Sequence, residues 1–257
     1  MINLPCYLGE EVFTDFHIHG DIEFYQAFGK SKLIPKTSQP SVGESLEMFS
    51  KIKALEYTDI IYLPISKELS GTYANGHASL NMISGINVHI MDTRTTVSIL
   101  GGLTLEAARM ARNGKSVEEI LERLEAIRDN SAYYVTVNDL TSLVKNGRLS
   151  YAKFKIANFL HIKPVIILNS EGKLVSLENV RTYKGAIRKV IQYAFSHLDP
   201  NNGEIHISYT TNIDDLEYAK AEILKINPNV KIKVFTIPST VAAHLGLASL
   251  GVGYINY

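Results

Sequence analysis

The sequence predicts an α/β fold in which parallel strands are joined by crossover helices. Two observations carry this expectation. Short apolar strands alternate with helix-length amphipathic segments along almost the whole chain, which is the pattern of βαβ units. The 257 residues are 46% hydrophobic, enough to bury a substantial core in one large domain or in two lobes that share it. No repeat at solenoid spacing and no low-complexity tract interrupts the pattern.

Local pattern then gives each element in turn. Residues 58–65 (TDIIYLPI) form an apolar run short enough for a buried strand, and 71–83 read as the helix after it. Residues 87–92 (NVHIMD) make the next strand and 100–112 the next helix. A further helix over 117–129 leads into a strand at 132–137. Strands follow near 163–168, 204–209 and 231–237, with helices around 185–196 and 214–224 between them. Leu168-Asn169-Ser170-Glu171-Gly172 and Asp199-Pro200-Asn201-Asn202-Gly203 are rich in turn formers, but neither is long enough for a linker. Residues 1–257 are therefore read as a single unit of two lobes.

Composition excludes several functions. Lys+Arg and Asp+Glu both number 26, for a net charge of zero, which argues against a nucleic-acid surface or a polybasic membrane anchor. Cys6 is the single cysteine, so a disulfide framework is excluded and a reducing compartment is the natural setting. Met1 to Cys6 superficially looks like a lipoprotein cleavage site but has no basic or apolar region ahead of the cysteine. No apolar run approaches the roughly 18 residues of a membrane span. The expectation is a soluble cytoplasmic protein with at most transient membrane contact.

In open α/β sheets, ligands bind beyond the carboxyl ends of strands, where helix N-termini offer free N–H groups. Two segments suit that role. In Thr37-Ser38-Gln39-Pro40-Ser41, Ser41 and Glu44 fit a capping box, which leaves Thr37 and Ser38 as hydroxyls in a proline-stiffened loop. In Ser70-Gly71-Thr72-Tyr73, a Ser-Gly pair opens a helix and lets a hydroxyl and a backbone N–H approach an anion. Ser70 reads equally as a helix cap. A third loop, Pro238 to Leu250, carries His244 among small apolar residues, where a packing role competes with a ligand contact.

Six segments occur in order: Thr37-Ser38-Gln39-Pro40-Ser41, Leu69-Ser70-Gly71-Thr72-Tyr73, Lys145-Asn146-Gly147-Arg148-Leu149-Ser150, Lys163-Pro164, Val180-Arg181-Thr182 and His244-Leu245-Gly246. The series resembles the DegV family, including the FakB fatty-acid-binding subunits of bacterial fatty acid kinase, from about Ile2 to the C-terminus. The resemblance implies a two-lobed fold with the ligand site between the lobes. It also implies a lipid-binding carrier, not an enzyme. A long-chain fatty acid would lie in an apolar tunnel, and a separate ATP-dependent kinase subunit would phosphorylate its carboxylate. By motif, Thr37 and Ser70 would bond the carboxylate, with Ser38 and Gly71 beside them and His244 nearby. Arg148 and Arg181 would face the kinase. No cofactor is implied beyond the bound acid.

Two features depart from the family pattern. Family members begin with a strand and an Asp-Ser-Thr loop, whereas this chain starts near the second strand and is read as truncated at its N-terminus. The family's Gly-Pro-Gly after the histidine is here Gly246-Leu247-Ala248.

The rival expectation is metallic. Asp15-Phe16-His17-Ile18-His19 has the D-x-H-x-H shape of metal-dependent hydrolases, with His89 and His206 as conceivable further ligands. A phosphate-binding loop fails on spacing, because Gly29-Lys30-Ser31 and Gly114-Lys115-Ser116 have Phe24 and Arg109 where the first glycine belongs. A serine-hydrolase reading of Ser70 lacks the elbow glycine two residues upstream.

Overall fold

In the computed structural model, which describes residues 2–14, 20–149 and 162–257, the amino end folds back on itself. β1 (Pro5–Leu8) pairs antiparallel with β2 (Glu11–Thr14) and with the two-residue β3 (Lys36–Thr37), while α1 (Gly20–Lys30) crosses between them. α2 (Val42–Lys53) starts at Ser41, whose side chain accepts the Glu44 N–H while Glu44 reaches back to the Ser41 backbone. This is the reciprocal capping box that the sequence predicts. β4 (Asp59–Tyr62) and β5 (Asn87–Ile90) form a parallel pair around α3 (Thr72–Leu80).

α4 (Val97–Arg112) and α5 (Val117–Asp129) then lead into the part of the chain that builds the larger sheet. There β6 (Ala132–Val137), α6 (Thr141–Lys145), β7 (Lys163–Leu168), β8 (Leu174–Val180), α7 (Tyr183–Phe195), β9 (Gly203–Tyr209), α8 (Ile213–Ile226), β10 (Ile232–Thr236), α9 (Ser239–Leu245) and β11 (Ser249–Asn256) follow in order. Six of these strands make one sheet in the order β10-β9-β11-β6-β7-β8.

Both faces of that sheet are covered, which explains its apolar strands. On one face Tyr133, Val135 and Val137 pack with Ile99 and Leu103 of α4 and Ala242, Ala243 and Leu245 of α9. On the other, Tyr134, Val165, Ile205 and Ile207 pack with Ile187, Val190 and Ile191 of α7 and Leu216 of α8.

The α/β class is as expected, but the sheets are not mainly parallel. Among the described pairings between strands only β4–β5 and β9–β10 run parallel and the rest are antiparallel, with one isolated parallel bridge between Leu149 and Leu174. Alternating strand and helix signals specify element type, not direction. The turn at Asn169–Gly172 folds β7 and β8 into a hairpin, and β11 inserts antiparallel between β9 and β6. The segment 238–250, read as a loop from sequence, holds α9 and the start of β11.

Candidate functional site

Backbone pairing fixes the first loop. Thr37 sits opposite Cys6 in the β1–β3 pair, and the Ser38 N–H donates to the Pro5 carbonyl at 3.2 Å. The chain therefore leaves the sheet with Thr37, Ser38 and Gln39 all facing one cavity. Asn75 of α3 donates to the Pro40 carbonyl at 2.7 Å, joining this loop to the helix that follows the second one.

In the second loop, Ser70 is not the N-cap residue of α3; Gly71 holds that position and supplies no side-chain bond. The Ser70 hydroxyl instead lies 2.8 Å from Thr72 Oγ1 and accepts the Thr72 N–H at 3.3 Å, and it lines the cavity. Gly71 leaves room for the carboxamide of Gln39, which a Cβ there would push aside. The two loops thus meet at Gln39 and Gly71.

His244, near the end of α9, closes the site from the opposite end of the chain. Its Nε2 is 2.8 Å from Thr37 Oγ1, while its buried Nδ1 has no hydrogen-bond partner among the described residues. Burial, and secondarily the Arg148 guanidinium, push its pKa down to about 4, so the ring is neutral at neutral pH. An orphaned buried N–H is rarer than an orphaned acceptor. The hydrogen-bond network therefore assigns the proton to Nε2, which donates to Thr37 Oγ1. The Thr37 hydroxyl hydrogen is then left to point at an acceptor in the cavity.

Arg148 follows the turn after α6. Its Nε donates to the Leu69 carbonyl at 3.1 Å and its Nη1 to the Asn146 carbonyl at 2.9 Å, and it lines the cavity without a carboxylate partner among the described residues. Asn146 in turn donates to the Pro35 carbonyl at 3.1 Å and the Ala243 carbonyl at 3.2 Å. One amide therefore clamps the approaches to both Thr37 and His244.

These groups open onto a cavity of about 450 Å³ whose remaining wall is largely apolar, with Ile65, Leu69, Val135, Leu174, Val241 and Leu245 among its residues. The loops after β3 and β4, strand β6 and helix α9 all contribute. Thr37, Ser38, Ser70, Arg148 and His244 all line it, and Gly71 backs it through Gln39. Arg181 does not line it; this residue is exposed just after β8 and precedes Thr182, the cap of α7. Gln39, inside the first segment but given no role from sequence, also lines the cavity, as do Thr96 and Tyr133, which lie in none of the segments. Ser150, at the end of the third segment, lies outside the described residues.

Asp15, His17 and His19 of the metal expectation also fall outside the described residues. The two conceivable further ligands do not converge: His89 pairs with Asp59 at 2.9 Å, and His206 lies 3.5 Å from Glu204. Among the described residues no group of three or more His, Cys, Asp or Glu side chains is arranged to hold a metal. No helix among them is long and apolar enough to cross a membrane.

Comparison with known proteins agrees with this architecture. The sequence model of the DegV family, described as uncharacterised, matches residues 1–257. A DegV domain-containing protein of Staphylococcus aureus (strain N315) is 31% identical over 238 residues, covering 91% of this chain and 82% of that relative. A fatty acid binding DegV family protein from Streptococcus agalactiae matches with a TM-score of 0.92 at 26% identity, over 100% of this chain and 90% of the other. DegV of Bacillus subtilis, a fatty acid binding protein, matches with a TM-score of 0.87 at 26% identity, over 100% and 91%.

Proposed function

The chain belongs to the DegV family, and from that premise we propose that it is a fatty-acid carrier that presents the acid's carboxylate to a separate kinase. The observation that carries this reading is one apolar cavity with Thr37, Ser70, His244 and Arg148 gathered in its wall. If each heavy atom takes about the 30 Å³ share of a water molecule, a cavity of about 450 Å³ has room for on the order of 15 of them. That suits a long acyl chain. Each buried methylene contributes about 0.8 kcal/mol, so the chain supplies on the order of 10 kcal/mol before ordering costs.

In this reading the Thr37 and Ser70 hydroxyls donate to the carboxylate. Ser38 lies beside them, and Gly71 allows the close approach of the Gln39 loop. His244 acts as the neutral group that orients Thr37. Hydrogen bonds to a charged carboxylate are worth about 1.5–3 kcal/mol each, so the chain dominates affinity and the hydroxyls fix direction. An ATP-dependent fatty acid kinase in the cytoplasm then forms the acyl phosphate. Arg148 and Arg181 face that partner, where a guanidinium stabilises transferring phosphoryl charge. The carrier itself performs no ATP chemistry.

Denaturing extraction of the purified chain followed by mass spectrometry tests the reading. Close to one fatty acid per chain is expected. A chain that is empty of lipid, and that takes up none when offered long-chain acids, overturns it. Stoichiometric zinc or manganese lost on His17→Ala would favour metal-dependent hydrolysis instead.

A further inference from the structure

The cavity-lining Tyr133 packs against a strand that lacks side chains at two positions. β11 runs through the middle of the six-stranded sheet, and Gly251 and Gly253 pair with Val135 and Tyr133 of β6. Paired residues share a face, so both glycines lie on the side that Val135 and Tyr133 line. A Cβ on Gly251 would overlap the Tyr133 hydroxyl, and one on Gly253 would lie 3.2 Å from Tyr133 Cδ2. The tyrosine ring therefore rests on a strip of bare backbone. Its hydroxyl crosses β11 to donate to Ser208 Oγ of β9 at 3.1 Å.

Register sets how far this ring stands from the polar end. Val137 pairs with Ser249, just beyond the loop that follows His244, whereas Tyr133 pairs with Gly253 further along β11. At about 3.3 Å per residue, Tyr133 lies on the order of 13 Å along β6 from the Val137 end. The ring is fixed at its backbone and at its hydroxyl, and it is only 2% exposed. It fills the space above the glycines, where Ile99 of α4 also comes within 3.1 Å of the position a Cβ on Gly253 would take.

We infer that Tyr133 is the specificity-determining stop that sets the length of acyl chain the cavity accepts. The inference rests on the fatty-acid reading above. A methyl end that reaches this ring meets an anchored aromatic wall, and the space over the glycine strip is taken by the ring. Removing the ring extends the cavity along that strip. Adding a side chain to the strip pushes the ring into the cavity.

The test is a binding series of saturated acids of graded length, together with mass spectrometry of co-purified lipid. The proteins compared are the native chain, Tyr133→Ala, Tyr133→Leu, Tyr133→Phe and Gly251→Ala. The preferred length is expected to rise by about two to four carbons in Tyr133→Ala, and by less in Tyr133→Leu, for the volume released. Tyr133→Phe keeps the ring and should keep the native preference, while Gly251→Ala should shorten it. An unchanged length profile in folded Tyr133→Ala or Tyr133→Leu overturns the inference. If neither folds, an unshortened profile in Gly251→Ala does so. Failure of the native chain to bind any acid would instead defeat the carrier reading itself.

Discussion

The depressed pKa of His244 makes a quantitative claim about stability. Burial and Arg148 hold the ring near 4, against an ordinary value of 6.5. Between those values the unfolded chain binds more protons than the folded one, so folding stability rises with pH across the window. The stabilisation is fully present above 6.5 and is lost as pH falls towards 4. At about 1.36 kcal/mol per pH unit, the difference is on the order of 3 kcal/mol. Urea unfolding of delipidated native chain and of His244→Gln, from about pH 7.5 to about pH 4.5, isolates this contribution, because carboxylate titration and the buried His206 are common to both proteins. The native chain should lose ground to the variant as pH falls, by up to about 3 kcal/mol. A bound carboxylate beside the ring favours its charged form, so lipid-loaded protein should show a shallower difference. Parallel stability curves for the two delipidated proteins would refute the environment assigned to His244.

Other substitutions probe the site piece by piece. Ser70→Ala should lower fatty-acid affinity by no more than about 1.5–3 kcal/mol in equilibrium titration and impair phosphorylation by the proposed kinase partner more severely; complete loss of acyl binding contradicts the division between chain and head group. Gly71→Ala should weaken fatty-acid binding in equilibrium titration while costing at most about 1 kcal/mol in denaturant unfolding, since its methyl must displace the Gln39 amide, the far end of a flexible side chain. A fully stable variant with native affinity would mean the two loops are not held together there. Asn146→Ala removes bonds to two carbonyls at once. It should destabilise by about 1–3 kcal/mol and weaken fatty-acid binding, whereas an effect on neither would show that the clamp does not position Thr37 and His244.

Much of this architecture was legible in the residues themselves. The helix over 117–129 and the strands at 132–137 and 163–168 have the expected bounds, because each has a clean period and flanking turn signals. The Ser41 capping box is a local rule and held locally. Strand direction was not legible. It depends on β11 threading between strands far from it in sequence, and no window of the sequence reports that. β11 was itself obscured by Gly251 and Gly253, which lower strand propensity; their reason is the Tyr133 ring above them. α9 is seven residues of mostly small side chains, too short to announce a period. The loops carrying Thr37 and Ser70 could be found from their hydroxyls and glycine. Thr96 could not, and although Gln39 and Asn146 lie in quoted segments, their roles arise only when distant segments meet.

The hydrogen bond between Thr37 and His244 joins residues 207 positions apart, and Asn146 bridges the same two regions. The polar end of the cavity therefore exists only after the first and last parts of the chain have closed on each other. A ligand held there binds the native state and not its partly folded precursors. At a free concentration one hundred times its dissociation constant, it adds about 2.7 kcal/mol to the folded state by mass action. On the proposed carrier reading, the lifetime of this chain against proteolysis should follow the supply of its acid, with the empty form turned over first.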